Sequence, residues 1–242
     1  MKTNKETAII VGVLFITATV ASIAGTAFTG SILDAPDYLV KISANENRII
    51  VSAFLEFIAA ATSASIAIFL YPVLKKYNEG LALGSVGFRL IEGVFSMVAA
   101  IGLLSLVTFS QEFVKAGAPN TSYFQTMGAF ILAVRNSAGF VFGVMAFGLG
   151  GLMYYSVLYQ SKLIPRWLSG WGLVGVILCM GSGVFVMFRL IIPVSTMHIV
   201  LNLPIFLQEM VLAVWLIVKG FTSSAIASGL PKQISTRENE QI

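Results

Sequence analysis

The sequence predicts an all-α protein: a polytopic membrane helix bundle of six transmembrane helices with both termini cytoplasmic. Three observations carry that prediction. Apolar residues make up 57% of the 242 while charged residues make up 11%, less than half the roughly 25% typical of soluble domains. The mean hydropathy is +0.89. The charges are also bunched: none lies between Glu6 and Asp34, nor in 57–74, 93–111, 136–160 or 167–188, and a last uncharged run from Leu190 to Gln208 continues past Glu209 to Val218. A spanning helix needs about 20 apolar residues, and these runs supply six. The same figures exclude an ordinary cytosolic enzyme, a disordered chain and a nucleic-acid-binding domain. A single Cys excludes a disulfide framework and a Cys-cluster zinc site.

Read as helices, the runs become 8–30, 49–71, 81–107, 127–157, 168–190 and 196–218. Pro72 closes the second, and Lys75-Lys76 with Asn78 and Gly80 form the turn into the third. Ala118-Pro119-Asn120 separates the third from the fourth, whose pattern includes an interfacial lead-in from Ser122 to Val134. Pro165-Arg166-Trp167 opens the fifth, with Trp167 and Trp171 as interfacial aromatics, and Pro193 divides the fifth from the sixth. Residues 31–47, with Asp34, Asp37 and Glu46, read as a solvated loop. Residues 1–221 form the membrane domain, and 222–242 a polar, disordered cytoplasmic tail.

Orientation follows from Lys and Arg near the span ends. Lys2, Lys5, Lys75, Lys76, Lys162, Arg166, Lys219, Lys232 and Arg237 fall on one side, against Lys41, Arg48, Lys115 and Arg189 on the other. Nine against four places both termini in the cytoplasm. The first span reads as a retained helix, because its uncharged stretch of 27 residues exceeds a leader's apolar region and no A-x-A box follows.

Lipid offers little hydrophobic drive between helices, so small residues have to permit close contact. Ala18, Ser22 and Thr26 mark one such face, and Ala60 with Ala64 continues the face of Glu56. Gly139 with Gly143, and Gly175, Cys179 and Gly183, mark others. Cys179 reads as a small filler.

Five charges lie well inside spans: Glu56, Arg89, Glu92, Arg135 and Glu209; the last helix adds His198, Asn202 and Gln208. A charge at the bilayer centre is disfavoured by about 2.5–3.5 kcal/mol, which makes such groups functional candidates. At 100° per residue Ser85, Arg89, Glu92 and Ser96 share a stripe, and His198, Asn202 and Glu209 share another. Rise per residue places Glu56 about 10–12 Å, and Glu209 and Arg135 about 12–20 Å, from the outer ends of their spans. All are expected to meet in one polar site between the centre and the outer leaflet. Two Arg against three Glu leave one odd carboxyl, a candidate proton donor, proton carrier or counter-ion. The competing expectation is that buried ion pairs only fix helix register. Pro204, between Asn202 and Glu209, either breaks the helix beside a binding site or is an ordinary kink.

One His cannot supply paired haem ligands or a multi-His zinc site, so no metal or cofactor is expected. H-E-x-x-H, G-x-S-x-G and Walker A motifs are absent. Phe88-Arg89-Leu90-Ile91-Glu92, Leu163-Ile164-Pro165-Arg166-Trp167-Leu168 and Gln208-Glu209-Met210 followed by Leu212-Ala213-Val214-Trp215 resemble the bacterial membrane-protein family known as domain of unknown function 4386. The resemblance runs nearly to the tail and implies a multi-pass protein of the bacterial plasma (inner) membrane; it implies no activity.

Three functions follow. The first is an integral membrane protein binding or moving a small molecule or lipid, with Glu56, Arg89, Glu92, Arg135, His198, Asn202 and Glu209 as the ligand site. Six spans are few for a transporter, which a homodimer would offset. The second is an intramembrane enzyme in which Glu56, Glu92 or Glu209 acts as general acid on an isoprenoid or lipid. The third is a structural, partner-stabilising subunit. The absence of catalytic motifs favours the first over an enzyme, and the partners expected are the bilayer and a small-molecule or lipid ligand, not nucleic acid.

Overall fold

The computed structural model describes residues 2–118 and 122–222; the tail expected at 222–242 lies almost wholly outside them. The chain forms α1 (Lys2–Leu33), α2 (Tyr38–Ala44), α3 (Glu46–Leu74), α4 (Glu79–Lys115), α5 (Ser122–Asn136), a π-helical segment (Ser137–Gly143), α6 (Val144–Ser161), α7 (Arg166–Met187) and α8 (Thr196–Val218). The α5–π–α6 stretch is one uninterrupted helix, so six helices are long and apolar enough to cross a membrane. They pack as a closed ring in the order α1, α3, α4, α6, α7, α8 and back to α1. The polar stripes of α3, α4, α6 and α8 face the axis. Each turn of the ring has a local cause. Asn78 caps α4 by accepting from the Leu81 amide at 3.0 Å, and Ser195 caps α8 through the His198 amide at 3.4 Å. Lys162 turns left-handed to end α6, and the Thr222 amide donates to the Leu163 carbonyl at 2.9 Å, tying the end of the chain to the α6–α7 turn.

Apolar packing divides by level. Near the N-terminal end Phe15, Leu70, Leu158, Ile164 and Leu212 share one cluster; at the far end Ile32, Ile42, Ile49, Leu103 and Leu106 share another. The long charged face of the N-terminal end is aromatic beneath its cations. Lys75 lies 5.3 Å over Tyr71, Arg166 5.3 Å over Tyr159 and Lys219 4.7 Å over Trp215, the pairing expected where side chains snorkel from hydrocarbon to headgroups.

Several local expectations change. The stretch read as a solvated loop contains α2, which buries Leu39 and Ile42; Leu39 and Ile42 stand three apart, a helical spacing too short to register against the surrounding charges. Asp37 precedes α2 and pairs with Lys41 at 3.1 Å, which holds its carboxyl below the usual carboxylate range. The buried seam of α1 passes through Phe15, Thr19 and Gly25, with Ala18, Ser22 and Thr26 only half-buried beside it. The fifth span stops at Met187 instead of 190, because Arg189 turns left-handed at φ 57°. Pro204 sits inside α8 without ending it.

Contact across the ring depends on missing side chains at two seams. A Cβ on Gly12 would lie 2.7 Å from the Ala213 carbonyl oxygen, and one on Gly175 would lie 3.1 Å from the Cα of Ile205. Both obstacles are backbone, so α1 and α7 could not yield without leaving α8. Gly181, one and a half turns along α7, has open space where its Cβ would go. Gly175→Leu is therefore expected to lower the unfolding temperature of the detergent-solubilised protein by the equivalent of about 1–3 kcal/mol of overpacking, while Gly181→Leu leaves it unchanged. Equal effects from the two variants would show that the α7–α8 seam is not set by steric clearance.

Candidate functional site

Arg89 is the largest fully buried side chain among the described residues, 1% exposed at the ring axis. The α4 stripe places it there, one turn from Ser85 and from Glu92 and Gly93. Its Nη1 donates to Ser63 Oγ at 2.7 Å and to Glu92 Oε2 at 3.0 Å; its Nη2 donates to the Tyr154 hydroxyl at 2.9 Å. Glu209 Oε1 stands 3.8 Å from Nη2. The Ser63 hydroxyl completes the loop by donating to Glu92 at 3.0 Å, and Thr19 reaches Glu209 Oε2 at 3.5 Å. Phe147 covers the guanidinium face with its ring centre 4.3 Å from Cζ. Ser63 on α3, Tyr154 on α6 and Glu209 on α8 thus converge on one α4 side chain, and Thr19 on α1 joins through Glu209. A second tier draws in α7: the Tyr155 hydroxyl donates to Gln208 Oε1 at 2.5 Å, and Gln208 Nε2 donates to the Leu168 carbonyl at 3.0 Å.

Toward the far end of the bundle a second pair forms. Arg135 Nη2 donates to Glu56 Oε1 at 2.9 Å, and Nη1 to Asn136 Oδ1 at 3.1 Å. Gly102 of α4 admits it, since a Cβ there would come within 2.9 Å of the Arg135 Cβ. Phe140 lies under the guanidinium, 5.0 Å from Cζ. Glu56 Oε2 and Arg135 Nε are buried without a hydrogen-bond partner. His198 packs edge-on to Phe140 at 5.4 Å, its Nε2 likewise unpartnered. Asn202 bonds away from both networks, to Ser182 Oγ at 2.9 Å and the His198 carbonyl at 2.7 Å.

The seven residues expected in one site therefore fall into three groups: Arg89, Glu92 and Glu209; Glu56 and Arg135; His198 and Asn202. Among the described residues no hydrogen bond or ion pair joins the first group to the second. The physical reason lies on α3. Glu56 and Ser63 share a face, but seven residues separate them by about 10.5 Å, so each meets a different arginine. Sequence reasoning missed Thr19, Ser63, Tyr154 and Asn136. Tyr154 carried a usable signal, because a hydroxyl in the middle of an apolar span has to find a partner.

Two cavities flank the Arg135 end. A 40 Å³ niche lies between α1, α5 and the α7–α8 loop, with Thr26, Asp34, Arg135, Asn136 and Pro193 in its wall. At ≳10–15 Å³ per water it has room for a few water molecules. Beside it, a 580 Å³ groove runs between the α5–π stretch and the end of α7, lined by Ala133, Phe142, Val186, Met187 and Ile191, with Asn136, Ser137 and Arg189 as its polar positions. Asn136, Ile192 and Pro193 belong to both walls. The π-helical segment begins at this point, widening the turn that separates Arg135 from Phe142.

A ring of six membrane-length helices around a buried guanidinium defines a multi-pass membrane protein. The chain belongs to the family described as Domain of unknown function (DUF4386), whose sequence model matches residues 10–220. No curated protein and no solved structure matches it.

The inner network makes a sharp demand on Arg89. Removing one partner of a buried ion pair costs about 3–5 kcal/mol, and a lysine ammonium cannot span Ser63, Glu92 and Tyr154 as a planar fork does. Arg89→Lys and Arg89→Gln are both expected to unfold at markedly lower temperature, with Arg89→Gln/Glu92→Gln recovering part of the loss. Thermal unfolding of the four proteins in one detergent checks this; wild-type stability in Arg89→Lys would contradict it.

Proposed function

We propose that this protein binds an amphiphile of the membrane, a lipid or lipid-like small molecule, at the Arg135 end of the bundle. The observation that carries the reading is the junction of two unlike cavities: a polar niche on Arg135 and Asn136 shares its wall with an apolar groove of 580 Å³. That volume lies within the roughly 300–1,000 Å³ of small-molecule sites, which combine mostly apolar walls with a few placed polar groups. A tail fits the groove, its polar end meets Asn136, Ser137 and Arg189 in the groove wall, and the niche beside it has room for waters of the head group. Arg135 and Asn136, both in the niche wall, supply the polar groups that face the head group's waters.

In this reading the three groups of polar residues divide the work. Asn136 contacts the ligand and joins it to Arg135, Glu56 holds Arg135, and Arg89 with Glu92 and Glu209 locks the ring that carries them. His198 and Asn202 back the Phe140 wall. General-acid chemistry has less support, because neither cavity is lined by Glu56, Glu92 or Glu209. The cation excess at the N-terminal end, together with the family resemblance, supports a bacterial inner-membrane location with that end in the cytoplasm.

Native mass spectrometry of the full chain, released from nanodiscs of total membrane lipid, tests the proposal. The expected spectrum carries a stoichiometric amphiphile that is lost in Ala133→Trp, which fills the groove from an exposed position. A bare chain, or an adduct indifferent to Ala133→Trp, would defeat it.

A further inference from the structure

Resting on the groove just described, we infer that its occupant is an anionic phospholipid of the surrounding bilayer, read at its phosphate by Arg189. The argument begins with depth. Helix α7 runs 22 residues from Arg166 to Met187, about 33 Å at 1.5 Å per residue, close to the ~30 Å thickness of the hydrocarbon. Arg166 and the Trp167–Trp171 pair mark one interface, so Arg189, two residues past the other end, stands at the opposite headgroup level. Val186 and Met187 lie just below it, and Phe142 faces them across the groove. A lipid seated here has its tail against apolar walls and its phosphate beside a guanidinium.

Charge points the same way. At this end of the bundle Lys41 holds Asp37, Lys115 holds Glu112 and Arg135 holds Glu56. Arg189 is exposed and takes part in none of the ion pairs among the described residues, and no acidic side chain lines the groove beside it. Arg48 at the same end is also outside those ion pairs, but it lines neither cavity. The backbone fixes Arg189 further: its φ of 57° and the Val194 φ of 62° bracket the loop that forms one groove wall. A β-branched residue at positive φ is a conformation that folded chains rarely keep. Planar guanidinium groups bind phosphate oxygens bidentately; a choline head offers the same phosphate but sets a cation beside it, so the unpaired Arg189 charge favours the lipid whose phosphate charge is not offset.

The test uses the full chain in nanodiscs of equal phosphatidylglycerol and phosphatidylcholine with matched acyl chains, followed by native mass spectrometry of the retained lipid. Wild type is expected to retain phosphatidylglycerol in about tenfold preference, the ratio one charge-assisted contact supplies. Arg189→Gln is expected to hold lipid in the bilayer ratio, Arg189→Lys to keep most of the preference, and Arg48→Gln to keep all of it. Lipid held without preference in wild type, or a preference that survives Arg189→Gln, overturns this inference and leaves the groove reading standing. Lipid absent from wild type, or retained in Ala133→Trp, overturns both.

Discussion

A planar cation with five donors, surrounded by helices and removed from water, constrains everything else in this bundle. Arg89 directs two nitrogens at Ser63, Glu92 and Tyr154, and stands within ion-pair distance of Glu209. An ion pair buried this deeply gives little net stability compared with apolar packing. Its value is geometric. Helices in lipid slide and rotate against one another with small penalties, since their surfaces resemble the solvent. A guanidinium that must find partners on α3, α6 and α8 simultaneously removes that freedom. Sliding any one helix by a turn would leave a charge or a buried hydroxyl unpartnered in a low-dielectric interior, where the loss is large.

The sequence made the spans and the buried charges legible, because both depend on composition along one helix. Six uncharged runs became six helices, and the α4 stripe of Ser85, Arg89 and Glu92 turns inward as its spacing requires. Which charges meet is a different kind of fact. Glu56 and Ser63 have equal claims to the axis on any helical wheel, and only the axial offset of α4 against α3 assigns one to Arg135 and the other to Arg89. No periodicity encodes that offset. Gly102 does, by letting Arg135 seat against α4 at one height, yet as a sequence feature it is one glycine among 22. The groove was hidden for a similar reason. Its walls come from two helices and a loop, and its bounding residue Arg189 looks like an ordinary helix-end cation until its φ is known.

The two ends of the bundle differ in how tightly they are determined. Toward the N-terminal end the ring is filled by aromatic and aliphatic side chains, with Tyr154 and Tyr155 4.3 Å apart at the axis, and hydrogen bonds run through all six spanning helices. Toward the other end α5 packs chiefly on α4 and the π-helical segment, and buries only Gly128 and Arg135. The polar contacts there are fewer, and Arg135 finds only Glu56 and Asn136 as partners. Cavities follow from that difference: a ring closed by side chains at one level leaves space where a helix diverges at the next.

That contrast bears on what such a bundle can do. A molecule that enters from the membrane needs a flank where a helix stands off from its neighbours, and a frame that does not collapse when the flank fills. The stretch where α5, packed chiefly on α4, runs into the π-helical turn at Ser137–Gly143 supplies the first, and the Arg89 network supplies the second. Arg135 stands where the two meet. Its stem packs on Gly102, part of the rigid wall, while its guanidinium lines the niche with one nitrogen on Glu56 and one on Asn136. Asn136 is the last residue before the π-helical turn and a wall of both cavities. A ligand drawing Asn136 away would therefore act on Arg135 and on the π-helical turn together, while no hydrogen bond or ion pair among the described residues links that pair to the inner guanidinium.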